Sequence, residues 1–272
     1  MKVTVINPEV LRDLHKNHGE FACVCYGTDP KHAEKVGADC AESGHLSGSR
    51  CEYIKFRISD VDRGTCEQML RHELGTSVPY EYQDNYSFAE YSDLVLDVSP
   101  DQIVKNMASF RYIDKDNFRW AIPDDILRFE PIMERWNSLM LHINNERYAI
   151  KEMLEAEGIP PKQATEDVNQ CLPRATLSEF VIGFTPEALI HFMHKRLCTR
   201  AQEYIHKLAH KMRLEIRQIN PAFAAELKPH CEHLLWCPEK KHSCGRYPTK
   251  DKLMKIIAAG KEALNGKGNP EA

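Results

Sequence analysis

No stretch of roughly eighteen apolar residues occurs in the chain, so a membrane-spanning helix is not expected. The opening run MKVTVINPEV lacks the apolar centre of a secretory signal, which points to a reducing cytoplasm. Positive charge is not in excess. The 36 Lys and Arg stand against 40 Asp and Glu, a formal net charge of −4, which disfavours a protein that coats nucleic acid. No internal repeat or low-complexity segment is visible. What remains is an ordinary globular balance, 28% charged and 42% hydrophobic, over 272 residues. That length allows one large domain or two small ones.

Cysteine, by contrast, is plentiful, with 10 residues. Without a secretory signal the default state is the free thiol, and metal binding is the sharper option where cysteines cluster. The cluster lies in KPHCEHLLWCPEKKHSCG, where Cys231, Cys237 and Cys244 accompany His230, His233 and His242. Three thiolates and one imidazole make a permitted tetrahedral zinc set, so a structural zinc is a candidate cofactor. The loose spacing equally suits free thiols. Cys23 and Cys25 read as core thiols. Cys66 has no His/Asp constellation to make it a nucleophile.

Val3–Ile6 reads as a strand, and Asn7-Pro8 opens a helix. Residues 26–50 look like a loop with one weak helix. Ile54, Phe56 and Ile58 alternate with Lys55 and Arg57, the period of a half-buried strand. Ser59 and Asp62 fit a capping box for a helix from about Val61 to Gly75. Residues 76–93 read as an irregular loop, and Ser99-Pro100 opens a short helix. Phe118, Trp120 and Ile122 suggest a strand that Pro123 stops. Residues 124–157 read as helical, ended by Gly158. From Thr185 to Asn220, Leu189, Met193, Leu197, Ala201, Ile205, Leu208 and Met212 predict one long helix with a single apolar stripe. The tail from Gly266 is expected to fray.

In QMLRHELGTSVPYEYQDNY, Gln68, Arg71 and His72 fall on one face of a helix. An Arg–His pair offers fixed donors and charge suited to a phosphate or an electron-rich ring; a solvated polar face is the alternative. Tyr80, Tyr82, Tyr86 and Phe88 in the loop beyond could close over a base or flavin, or pack between subunits.

Taken in order, these segments resemble the flavin-dependent thymidylate synthases. That family's signature runs Arg-His-Arg, then Asn-Glu-x-Ser-x-Arg-Tyr, with a Phe and a Pro beyond. Here the first half is Arg71-His72-Glu73. The second half keeps Asn106, Ser109, Arg111 and Tyr112, then Phe118 and Pro123. The tyrosine-rich segment, about 76–105, would be an insertion splitting the signature. SGHLSGSRCEYIKF is similar to the family's Gly-His-x-Ser…Glu-His-x-x-Phe segment and supplies His45, Ser47, Glu52 and Phe56. HFMHKRLCTRAQEYI resembles the helix carrying an Arg and an Ala-Gln pair, here Arg196 and Ala201-Gln202.

The resemblance implies an α/β (α+β) fold, a small mixed sheet packed with long helices, assembled as a homotetramer. It implies a catalytic domain over 1–220 and a Cys/His-bearing extension over 221–272. It implies that dUMP is methylated, with FAD as cofactor and NADPH and methylenetetrahydrofolate as co-substrates. Arg71, His72, Glu73, His45, Ser47, Glu52 and His191 would line the flavin. Gln68, Arg71, Ser109, Phe110, Arg111 and Arg196 would hold the nucleotide, with Arg71, Arg111 and Arg196 closest to the chemistry.

The departures matter as much. The signature's second Arg is Glu73, and its Glu is Met107. The Arg expected three residues before Leu172 is Asn169. An Asn expected at the long helix is Thr185, and a basic residue soon after is Glu187. A hydrogen bond to a charged group contributes about 1.5–3 kcal/mol, so one uncompensated loss weakens a ligand roughly ten- to a hundredfold. Arg174, Lys195 or Arg200 could restore the charge. The substrate could be another pyrimidine deoxynucleotide, or the chain a silent flavin- or nucleotide-binding homologue. A zinc-stapled nucleic-acid-binding protein is a further alternative, which the acidic balance disfavours.

Overall fold

The computed structural model describes residues 1–45, 47–70, 103–108 and 118–265. Arg71, His72, Glu73, Ser109, Phe110 and Arg111 lie outside the described residues, as do the 76–93 loop, the helix expected at Ser99-Pro100 and the tail from Gly266. Two compact units divide the chain, Met1–Thr185 and Pro186–Ala272. The domain limit expected after residue 220 falls inside the second unit.

The first unit is built on a four-stranded sheet of order β1-β2-β4-β3. The strands are β1 (Lys2–Val5), β2 (Ile54–Asp62), β3 (Ile103–Met107) and β4 (Leu177–Phe184). Every pairing is antiparallel, with Val3 opposite Ile58, Phe56 opposite Ile182 and Asn106 opposite Val181. Among the described residues the sheet is therefore antiparallel, not the mixed one expected. On β2 the alternation holds as read: Ile54, Phe56 and Ile58 are fully buried. A bulge then shifts the register between Ile58 and Val61, at Asp60 with its φ of 55°. The extra residue lets both Val61 and Asp62 turn inward.

Asn7 does not cap α1 (Pro8–Arg12) with its side chain. Instead its Oδ1 accepts from Lys55 N at 2.8 Å and its Nδ2 donates to Tyr53 O at 2.7 Å, tying the turn to β2. α2 (Leu14–Tyr26) and α3 (Ala33–Glu42) cross at Gly19 and Gly37. A Cβ on either glycine would strike backbone of the opposite helix, so the helices touch main chain to main chain. α3 is thus firmer than the weak helix expected there.

The strand expected at Phe118–Ile122 is not formed. Phe118 is buried and Trp120 makes one isolated bridge to Thr176. α5 (Asp124–Leu127) and α6 (Glu130–Ala156) follow as read, and Gly158 at φ 88° closes α6. α7 (Pro161–Val168) leads into a short turn, Asn169–Cys171, ahead of β4.

In the second unit the long helix is two: α8 (Pro186–Arg196) and α9 (Glu203–Ile219). The Gln202 side chain caps α9, its Oε1 accepting from Ile205 N at 3.4 Å, and residues 197–202 form the break. The stripe survives it. Leu189, Met193, Leu197, Ile205, Leu208 and Met212 are all buried. α10 (Pro221–Glu226), α11 (His230–Leu234) and α12 (Lys250–Asn265) complete the unit. Among the described residues no helix is long and apolar enough to cross a membrane.

Candidate functional site

In the first unit, α4 (Arg63–Leu70) starts at the end of β2. Ser59 stays within the strand, and Asp62 alone is the cap. Its carboxylate accepts from Thr65 N at 2.9 Å and from Thr65 Oγ1 at 2.6 Å. Arg63 N and Gly64 N donate to the carbonyls of Thr176 and Arg174, at 3.0 and 3.1 Å. The start of α4 is thereby fastened to the segment that runs from Asn169 to β4. Gln68 sits half-buried one turn further along α4. Cys66 is buried on the same helix, and burial together with the Asp62 carboxylate pushes its thiol up to about 12. It is an inert packing thiol.

The 45–52 segment leans on α2. Gly48 lies against the buried His18, whose ring would stand 2.6 Å from a Cβ placed there. His18 also hydrogen-bonds the His45 backbone, while burial lowers its pKa. His45 is exposed, Ser47 opens the turn Ser47–Cys51, and Glu52 is half-buried.

Sequence reasoning missed Arg147. It lies on α6 at 2% exposure, on one stripe with the buried Met140 and Asn144. Nη1 donates to Asn169 Oδ1 at 2.7 Å and Nη2 to Asn144 Oδ1 at 3.3 Å. The guanidinium also lies 5.0 Å from the Tyr148 ring centre. A permanent positive charge thus stands at Asn169, where the resemblance leads one to expect an arginine. The signal was available: an arginine in phase with a helix's buried stripe is out of place unless something holds it.

Two of the other candidates for that charge are engaged. Arg174 Nη2 pairs with Glu67 at 3.2 Å, and Glu67 also meets Arg63 at 3.7 Å. Arg200 Nε faces Glu239 at 3.9 Å and its Nη1 donates to His242 O at 3.3 Å. Lys195 is exposed.

In the second unit α8 carries His191 and Arg196. Burial, then the nearby Lys195 and His230, holds the half-buried His191 at about 4, against the weaker pull of Glu187. The ring is therefore neutral at physiological pH. Burial also lowers the Arg196 pKa, and its Nε has no hydrogen-bond partner among the described residues. A buried guanidinium N–H without an acceptor is costly unless a ligand completes it. The Arg196 carbonyl bonds His206 Nδ1 at 2.8 Å. A carbonyl only accepts, so Nδ1 carries a proton, and His210 Nε2 lies 3.2 Å from the ring's Nε2.

The three-thiolate, one-imidazole shell expected around Cys231, Cys237 and Cys244 is not formed. His230 and His233 place their rings 5.1 Å from that of His194 instead. Among the described residues no group of three or more His, Cys, Asp or Glu side chains is arranged to hold a metal ion.

The family model described as thymidylate synthase complementing protein matches residues 13–222. The chain belongs to this family. Family members of known name are similar along most of their length. The flavin-dependent thymidylate synthase of Nitratidesulfovibrio vulgaris is 30% identical over 224 residues, 81% of this chain and 80% of that protein. The enzyme of the same name from Pyrococcus abyssi is 31% identical, with 79% and 77% covered. That of Clostridium tetani is 25% identical, with 85% and 89% covered.

Proposed function

We propose that the protein is a flavin-dependent thymidylate synthase, forming dTMP from dUMP with methylenetetrahydrofolate and NADPH. Family membership over residues 13–222 supports the reaction class. The observation that carries the substrate reading is Arg147. Its charge at Asn169 supplies what the altered motif lacks, so the departure is a relocation of a cation rather than its loss. A chain that has abandoned nucleotide binding has no reason to keep a buried arginine there.

Bound FAD would supply hydride acceptance and reductive delivery to the one-carbon unit. His191, held neutral, fits a flavin ring because it adds a donor without adding charge. His45, Ser47, Glu52, Arg71, His72 and Glu73 are the further flavin-lining residues of this reading. Gln68, Arg71, Ser109, Phe110, Arg111 and Arg196 would orient the pyrimidine nucleotide, with Arg147 behind Asn169. Fixed guanidinium and amide donors hold the nucleotide's ring and phosphate in register, which is most of what a hydride transfer asks of protein side chains.

The same reading includes a homotetramer, residues 1–220 as the catalytic domain and 221–272 as its extension. It also includes a reducing cytoplasmic setting, with which the nine free thiols among the described residues agree. The test is to incubate protein with FAD, NADPH, methylenetetrahydrofolate and either dUMP or dCMP, then weigh the nucleotide. Conversion of dUMP to dTMP, a gain of one CH2, is the expected result. A methylated product from dCMP alone would replace the substrate, and unchanged nucleotides in every mixture would overturn the activity.

A further inference from the structure

Arg196 is the last residue of α8, so its carbonyl belongs to the helix end, where C=O groups lack intrahelical partners. Leu197 N still reaches back to Met193 O at 2.9 Å, and the break before α9 follows. That last carbonyl has a partner all the same. The His206 imidazole, ten residues further on in the first turns of α9, meets it with Nδ1 at 2.8 Å from the oxygen.

His206 is itself firmly placed. Its backbone N–H donates to Gln202 O at 3.0 Å, and the Gln202 side chain caps the same helix. Ile205 before it and Leu208 and Ala209 after it are fully buried, which sets the face from which the imidazole leaves α9. The second ring nitrogen is also met. His210 Nε2 stands 3.2 Å from His206 Nε2, with ring centres 4.6 Å apart and planes at 81°. One proton between the two Nε2 atoms, on either ring, makes that contact a hydrogen bond. A ring engaged at both nitrogens has little freedom left to turn.

The bond lands on a residue that the function proposed above gives to the nucleotide. Arg196 Nε is buried without a hydrogen-bond partner among the described residues. What aims the side chain within this unit is therefore the main chain from which it springs. Helix ends fray, and a frayed last turn would carry the Arg196 Cα with it. A small displacement of a group that orients a ligand is felt strongly in alignment.

We propose that His206 is a positioning residue for Arg196: its imidazole caps the terminal carbonyl of α8, with His210 bracing the ring, and so fixes the point from which the guanidinium reaches the nucleotide. The inference rests on the reading that Arg196 holds dUMP. His206 touches no substrate in it and acts through the α8 main chain alone.

The test is titration of full-length, FAD-loaded protein with dUMP. His206→Phe and, separately, His206→Ala remove the donor, and each is expected to raise the dUMP Kd by about two- to tenfold, one neutral hydrogen bond. His206→Asn places an amide N–H where Nδ1 stood and should return the Kd to within about twofold of wild type. In an Arg196→Gln background, His206→Phe should add no further loss, because the two residues act as one unit. FAD affinity and circular dichroism should be unchanged throughout, which a general loosening of the fold would not allow. Wild-type dUMP affinity in a folded His206→Phe or His206→Ala protein overturns the inference. So does a His206→Asn protein no better than His206→Phe, or a loss that adds in full to that of Arg196→Gln. If Arg196→Gln by itself leaves dUMP binding intact, the nucleotide role of Arg196 fails and this inference with it. A normal Arg196→Gln loss beside a silent His206→Phe sinks the positioning role alone.

Discussion

Arg147 donates to Asn169 across 22 residues of sequence, Nη1 to Oδ1 at 2.7 Å, in a site where the guanidinium is 2% exposed. The long helix α6 thereby places its charge against the Asn169–Cys171 turn. In the function proposed above, the amide orients the guanidinium and the guanidinium carries the charge that meets the nucleotide's phosphate.

Arg147→Leu is expected to weaken dUMP binding by roughly ten- to a hundredfold, the loss of one charged hydrogen bond. It should also cost about 2–3 kcal/mol of stability, because the Asn144 and Asn169 carbonyls lose their donors. Adding Asn169→Arg to that variant should restore much of the binding by returning the cation to its alternative origin. Isothermal titration with dUMP and denaturant unfolding separate the two effects. Equal dUMP affinity in the wild type and in a folded Arg147→Leu variant would remove Arg147 from the site.

Cys66 is a different case. With its thiol pushed up to about 12 by burial and by Asp62, it stays protonated at any pH the enzyme meets. Cys66→Ala is expected to keep turnover within about twofold, since thiol reactivity requires thiolate. Alkylating reagents should label the exposed Cys25, Cys171 and Cys244 first. A folded Cys66→Ala protein without activity would restore the nucleophile reading.

Acid stability should be governed partly by His194 and His191. Their folded-state pKa values, about 3 and about 4, lie below the ordinary 6.5, mainly through burial. His230, His233, His191 and Lys228 all oppose a charge on His194; Lys195 and His230 oppose one on His191, and Glu187 favours it. The unfolded chain therefore binds protons that the folded chain does not. The stability present above about 6.5 is lost as pH falls towards 4. Urea midpoints measured from pH 7 to 4.5 should decline, and His194→Phe should flatten that slope. A slope unchanged by His194→Phe would show that these rings do not govern it.

Gly19→Ala or Gly37→Ala is expected to destabilise by at least about 3 kcal/mol, because a new methyl meets backbone that cannot yield. Gly27, at φ 62° with open space around its would-be Cβ, should cost only about 1 kcal/mol on the same change. Thermal denaturation distinguishes the two. Similar costs at all three positions would mean that the α2–α3 crossing is looser than its main-chain contact implies.

The strand β2, the proline-opened α1, the stop at Gly158 and the apolar stripe of α8 and α9 were legible because each is local. Alternation, a proline and a glycine act on their own neighbours. β4 was not legible, because LSEFVIGF is the inner strand between β2 and β3. Its Ile182, Gly183 and Phe184 are buried in succession, so its period of two is erased at that end. The break between α8 and α9 was hidden for the opposite reason: the stripe keeps its phase through it, while one side-chain cap at Gln202 decides where the second helix starts.

By itself the sequence determined the family, the order of its motif segments and which of their positions depart from the pattern, since these are properties of residues in a row. Only the tertiary structure decided that Arg147 donates to Asn169 and that burial keeps His191 uncharged at neutral pH. Charge, solvation and ligand geometry are set by neighbours in space, and chain order does not carry those distances.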